Sequence, residues 1–110
     1  RQVRIGPFRI ERTPVTNQKF ARFVRATGYL TLAERQPDPK IYPNAAVGQL
    51  RAGSAVFHVP DRPVDLRYPA QWWHYVPGAC WHRPRGPDFG PCAPDHPVVH
   101  VAYEDAEAYA

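Results

Sequence analysis

Five side chains in the second half of the sequence could ligate a metal ion. They are Cys80, His82, Cys92, His96 and His100. The last two histidines have the H-x3-H spacing of many zinc sites, which puts both on one face only when they lie on a helix. Here Pro97 follows the first histidine, and an extended chain would separate the pair by about 13 Å. Cys80 and His82 are closer in sequence than zinc ligands usually are, so zinc remains one open alternative.

The same cysteines could act as nucleophiles with a neighbouring histidine as base. An extended Cys80-Trp81-His82 segment would point the thiol and the imidazole the same way. No residue marks an orienting acid or an oxyanion hole, so this alternative also remains open. Two cysteines are too few for a disulfide scaffold. We therefore expect free, partly buried thiols at Cys80 and Cys92, with a single bridge as the alternative.

Three tryptophans and two arginines fall within WWHYVPGACWHRPRGP, residues 72–87. Its prolines and glycines predict an irregular loop without helix or strand. Interleaved arginines and aromatics could contact a nucleic acid, but the net charge is only +4 and the charges are scattered. We expect no nucleic-acid partner. Rigid aromatic side chains favour either a peptide or ligand groove or packing in the core.

The elements that position these residues must be short, because 14 of the 110 residues are proline. The length suits one small domain, and 44% apolar residues suffice for a core. No run approaches 18 apolar residues, so we expect no membrane segment.

Alternation predicts a half-buried strand over 2–12, kinked at Gly6-Pro7. A helix is predicted over 17–27, with Thr16 as its N-cap and Gly28 after its last turn. A second strand is predicted over 53–59.

Val98 to Val101 are predicted to form a short strand. A helix follows, with Glu104 and Asp105 near its positive N-terminus. Ala102 cannot cap this helix with its side chain, which costs about 1 kcal/mol. The helical pattern runs to Ala110 without a stop signal. We therefore expect the chain to be part of a longer domain and marginally stable alone.

The run FRIERTPVTNQKFARFVRATGYLTLAER resembles the formylglycine-generating enzyme (sulfatase-modifying factor) family in its bacterial form. PDPKIYP, GSAVFHVP, PVDLRYPAQWW, VPGACWHRPRGP and DHPVVHVAYEDAEAYA follow in the family's order. The resemblance covers essentially the whole chain. It implies that residues 1–110 are the N-terminal portion of such a domain, which continues beyond Ala110. The implied fold is α/β (α+β), C-type-lectin-like, truncated, and poor in regular secondary structure.

The family oxidises a cysteine in a C-x-P-x-R motif of a client sulfatase to Cα-formylglycine, using molecular oxygen. Copper(I) held by a cysteine pair activates the oxygen, and family members also bind Ca²⁺. Cys80 and Cys92 do not match that pair. The resemblance thus implies no catalytic residue, metal ligand or bound cofactor in this chain, which we expect to be inactive alone.

The resemblance further implies that Ser54, Trp72, Trp81 and Arg83 contact the client peptide. It also leads us to expect a monomer in the bacterial cytoplasm. The alternative is a non-catalytic lectin-like member of the same superfamily, or one related to the sulfoxide synthases.

Overall fold

The computed structural model describes residues 2–46, 48 and 50–110. It is a small mixed α/β structure with few helices and one two-stranded sheet. The elements in chain order are α1 (Asn17–Thr27), a 3₁₀ turn (Leu32–Glu34), β1 (Gly53–Phe57), a second 3₁₀ turn (Pro69–Gln71), β2 (Trp73–Pro77) and α2 (Tyr103–Tyr109). Long loops connect these elements, as the proline content predicts.

The predicted first helix is confirmed with its boundaries. Thr16 Oγ1 accepts a hydrogen bond from Lys19 N, and Gly28 ends α1 with φ 69°. The first amides of the helix also find partners in the loop at 93–96. Asn17 N donates to His96 O at 2.9 Å, and Gln18 N donates to Pro94 O at 2.9 Å. These bonds satisfy donors that a helix N-terminus leaves free.

An aromatic cluster forms the core between α1 and α2. Phe20 is 2% exposed and packs edge-on against Trp81, with ring centroids 5.3 Å apart. Tyr109 of α2 stacks on Phe20 at 5.8 Å and meets Phe23 edge-on at 5.5 Å. The helical stripe of α1 is therefore core, because its aromatic rings pack against α2 and against the loop that carries Trp81.

β1 and β2 form an antiparallel pair in which Ser54 lies opposite Val76 and Phe57 lies opposite Trp73. The strand predicted over 53–59 is confirmed in its first five residues. The prediction that residues 72–87 contain no strand is wrong, because Trp73–Pro77 pairs with β1. Trp73, Tyr75 and Val76 are residue types that favour strands, but Pro77 at the end of β2 and Gly78 after it indicated a loop.

Two other predicted strands do not form. Residues 2–12 are loop, and their apolar side chains are exposed, with Ile10 at 83%. No other segment of the described chain pairs with them, and an alternating pattern alone cannot supply the hydrogen bonds of a strand. Val98 to Val101 also form no strand. Val98 N bonds Val15 O at 2.9 Å, and His100 then turns to φ 57°.

α2 confirms the helix predicted near the end of the chain, and Asp105 partly offsets the missing side-chain cap. Asp105 Oδ2 accepts a hydrogen bond from Ala102 N at 2.7 Å. Within the described residues, neither helix has the length and hydropathy needed to cross a bilayer.

Candidate functional site

An open cleft of about 670 Å³ lies beside the first half of β1. Gly53, Ser54 and Ala55 of β1 and Tyr75 of β2 form one side of it. The opposite sides come from the segments around the first 3₁₀ turn and the start of α2. Those segments contribute Leu32, Ala33, Arg35, Gln36, Pro37, Asp38, Ile41, Tyr42, His100, Val101, Ala102 and Glu104. Apolar walls with a few polar groups are typical of a ligand-binding cleft.

Ser54 and His100 meet at the edge of this cleft. His100 Nδ1 lies 2.8 Å from Ser54 Oγ, and its Nε2 lies 2.8 Å from Pro84 O. Because a carbonyl oxygen only accepts, Nε2 carries the proton and donates to Pro84 O. In the neutral imidazole Nδ1 then accepts the Ser54 hydroxyl proton. The Ser54 oxygen keeps lone pairs that could accept an N–H from a bound peptide.

His100 adopts a left-handed backbone conformation, with φ 57°. Within the part of the chain that the structure describes, it is the one non-glycine residue with positive φ. Such a conformation costs roughly 1–3 kcal/mol and is found most often at functional sites. The two ring hydrogen bonds hold the residue in place and connect β1 to the loop at Pro84.

Asp105 fixes the opposite wall of the cleft. Its carboxylate is fully buried and accepts hydrogen bonds from Leu32 N at 3.0 Å and from Tyr29 Oη at 3.0 Å. Arg35 lies 3.7 Å from the same carboxylate and forms an ion pair with Glu104. Burial, and then the bond to Asp105, raise the pKa of Tyr29 above its ordinary value of 10.0. The two segments are therefore joined through a buried carboxylate that has several polar partners.

The structure places one of the four predicted peptide-binding residues in this cleft. Ser54 lines it, whereas Trp72, Trp81 and Arg83 are not among its lining residues. Trp72 is half-buried, and its carbonyl accepts a hydrogen bond from His58 N at 2.7 Å. Arg83 is exposed and donates to Pro87 O at 3.3 Å.

Trp81 belongs to the aromatic core and is 8% exposed. Its indole Nε1 is buried and has no hydrogen-bond acceptor among the described residues. The peptide contacts predicted for Trp81, Trp72 and Arg83 remain predictions.

Both cysteines are free, as predicted, with Cys80 buried and Cys92 half-buried. Burial raises the pKa of the Cys80 thiol, so it is not activated as a nucleophile. His96 and His100 do not share a site. His96 is exposed, with Nδ1 3.3 Å from Asp95 Oδ1, whereas His100 bonds Ser54.

The cysteines of this chain do not suit the copper(I) that the resemblance implies. Glu34 and His82 are the metal-competent neighbours of Cys80, and Cys92 is not in their group. Copper(I) prefers soft thiolates, whereas a carboxylate and an imidazole beside one thiol form a harder set.

The structure gives His100 and Glu34 contacts that the sequence did not predict. The sequence indicates His100 only as a candidate zinc ligand, and its bond to Ser54 joins residues 46 positions apart. Glu34 was not considered at all, yet its carboxylate lies 3.3 Å from His82 Nε2. The Thr31-x-x-Glu34 spacing of a capping box was the available signal for Glu34.

Comparison with known proteins connects this chain to one family. The Sulfatase-modifying factor enzyme 1-like domain matches residues 1–110. The chain is similar to the formylglycine-generating enzyme of Mycobacterium tuberculosis, with 51% identity over 109 residues, 98% of this chain and 36% of that protein. A formylglycine-generating enzyme of Thermomonospora curvata is 46% identical over 116 residues, 100% of this chain and 33% of that protein.

A mouse protein named inactive C-alpha-formylglycine-generating enzyme 2 is 36% identical over 110 residues, 99% of this chain and 32% of that protein. The chain thus spans about a third of the length of these relatives. The match to the family's domain extends over every residue of the sequence. The chain therefore belongs to the sulfatase-modifying factor enzyme family.

Proposed function

We propose that this chain forms part of a formylglycine-generating oxidoreductase that matures sulfatases. The observation that carries the proposal is the 51% identity to a relative named formylglycine-generating enzyme. The reaction converts the cysteine of a C-x-P-x-R motif in a client sulfatase to Cα-formylglycine. The Cβ–S bond breaks, sulfur leaves as hydrogen sulfide, Cβ becomes the aldehyde carbon, and O₂ is reduced to water. A thiol reductant supplies the remaining electrons that O₂ consumes.

The proposed role of this chain is to bind the peptide rather than to perform the oxidation. The cleft beside β1 has apolar walls, and Ser54 keeps a free acceptor at its edge. An extended client segment could place an N–H on that oxygen. Trp72, Trp81 and Arg83 are proposed as further contacts.

Copper(I) and Ca²⁺ would be held by residues outside this chain. Cys80 and Cys92 do not fit a copper pair, so we assign them no part in oxygen activation. The fold proposed for the complete domain is C-type-lectin-like. We propose that the protein acts as a monomer in the bacterial cytoplasm, without nucleic-acid or membrane partners.

The mouse relative named inactive supports a second candidate, a non-catalytic member of the family. To distinguish the two, the complete protein that contains this chain is incubated with copper, O₂, a thiol reductant and a C-x-P-x-R peptide. An aldehyde-reactive probe and mass spectrometry then detect formylglycine. We expect conversion of this peptide and none of an S-x-P-x-R control. Absence of conversion in the copper-loaded protein would favour the non-catalytic candidate.

A further inference from the structure

Three side chains of different chemistry converge behind the first 3₁₀ turn. Glu34, Cys80 and His82 each offer a ligand atom, and these atoms all lie within 4.8 Å of one another. Glu34 Oε1 is 3.3 Å from His82 Nε2. Cys80 is 5% exposed, and Glu34 and His82 are half-buried. The group therefore sits at the boundary between core and solvent, where an ion could enter.

The Glu34 carboxylate is already oriented. Its Oε2 accepts hydrogen bonds from Thr31 Oγ1 at 2.7 Å and from Thr31 N at 3.0 Å. Thr31 is fully buried, so this pair of bonds holds Oε2 in place. The other oxygen, Oε1, lies 3.3 Å from His82 Nε2, and an ion between the two would replace this contact. Hydrogen bonds of this kind to a ligand commonly strengthen metal binding by 10–100-fold.

A tight turn positions the other two donors. Cys80 N donates to Arg83 O at 3.2 Å, and Arg83 N donates back to Cys80 O at 3.1 Å. His82 O in turn accepts a bond from Cys92 N at 3.3 Å. The backbone that carries the thiol and the imidazole is therefore fixed without any ion. An ion would need only small side-chain movements to reach all three donors.

We propose that Glu34, Cys80 and His82 bind Zn²⁺. Thiolate, imidazole and carboxylate are the three ligand types that zinc accepts in proteins. The thiolate and the carboxylate would together neutralise the dication, which matters at a half-buried position. Three protein donors leave one tetrahedral position for water. Ca²⁺ needs six or more oxygens, and copper(I) prefers additional soft ligands.

Co²⁺ serves as the spectroscopic probe for this site in the complete protein, after chelation of resident metals. We expect a thiolate-to-cobalt charge-transfer band that Zn²⁺ abolishes by displacing Co²⁺. The cobalt titration is compared in Cys80→Ser and in the matched control Cys92→Ser. The band that depends on Cys80 should disappear in the first variant and persist in the second. An unchanged band in Cys80→Ser would overturn the proposal.

Because Cys80 is buried, its substitution could prevent folding. His82→Asn provides an independent test, since the His82 side chain is 45% exposed. We expect this variant to keep its circular dichroism spectrum and to lose the Cys80-dependent band. Zinc content measured by elemental analysis should fall by about one ion per chain. Retention of both the band and the zinc in His82→Asn would contradict the assignment.

Discussion

The wall around Asp105 and the β1–β2 hairpin face each other across the cleft and are stabilised in opposite ways. We call Asp105, Tyr29, Leu32, Ala102 and Arg35 the Asp105 network. The Asp105 carboxylate is fully buried, and the other four residues each contact it by a hydrogen bond or an ion pair. The hairpin has backbone pairing but little cover, with Phe57 53% and Tyr75 54% exposed.

A two-stranded hairpin is marginal in water unless it packs against something else. Here Val56 is the buried residue of β1, and the Ser54–His100 bond connects the hairpin to the rest of the chain. The Asp105 network instead depends on one charge that many donors satisfy. Removal of one side-chain group should therefore destabilise the Asp105 network more than the hairpin.

Asp105→Ala should cause the largest loss of stability. The substitution leaves Leu32 N and Ala102 N without their acceptor in a buried site. Removing one partner from such a network costs about 3–5 kcal/mol. Urea unfolding of the complete protein measures the change. Glu107→Ala, at an exposed position of the same helix, is the control and should be nearly neutral. Equal losses in the two variants would contradict the network's role.

Gly53→Ala should disturb the hairpin by a smaller amount. A Cβ at this position would lie 2.5 Å from Val76 O and 2.9 Å from Pro77 Cα, both of them backbone atoms. The strands must separate locally, at a cost of about 1–3 kcal/mol. Hydrogen exchange of the β2 amides should accelerate. Gly6→Ala, where a Cβ meets nothing within 4 Å, is the matched control. Unchanged exchange in Gly53→Ala would rule out the close approach.

Gly28→Ala should lower the stability of the protein by straining the turn that leads from α1 to Tyr29. Gly28 has φ 69°, and a Cβ there meets nothing within 4 Å, so the penalty is purely conformational. It should amount to about 1–2 kcal/mol. Gly28→Asn, with a side chain that tolerates the left-handed region, should lose less. A thermal melt compares the two, and a larger loss for asparagine would argue against this explanation.

Tyr29→Phe should have the smallest effect at neutral pH and a characteristic pH dependence. The folded pKa of Tyr29 is raised, first by burial and then by its bond to Asp105. Its contribution to stability is therefore complete below the unfolded value of 10.0 and declines as the pH rises through the folded pKa. The free energies of unfolding of the wild type and the variant should converge at pH values above the folded pKa of Tyr29. A stability difference that stays constant from neutral to alkaline pH would contradict it.

Both predicted helices form because their hydrogen bonds are local, whereas only one of the three predicted strands, at 53–57, finds a partner strand among the described residues. α1 was predicted with both caps, because Thr16 and Gly28 act within a few residues. The strand at 2–12 was wrong because alternation does not reveal whether another strand lies alongside. β2 was missed because Pro77 and Gly78 indicated a loop over the whole stretch. They lie at the last residue of β2 and just after it, so its first four residues can still pair.

The same limit applies to the cleft. Ser54 was identified through family resemblance, and its partner His100 is 46 residues away. Asp105 was predicted as a charge near a helix dipole, but its burial against Leu32 depends on contacts 73 residues apart. Local pattern can indicate a residue's type of chemistry, but long-range packing decides which groups it meets.

The proposed function requires that the cleft at Ser54 bind the client peptide. The most direct measurement compares KM for a C-x-P-x-R peptide in the complete protein and in Ser54→Ala, with Thr13→Ala as an exposed control. Loss of one hydrogen bond should raise KM by about fivefold, with kcat nearly unchanged. Thr13→Ala should leave both parameters unchanged. An unaltered KM in Ser54→Ala would contradict the assignment of the cleft as the peptide site.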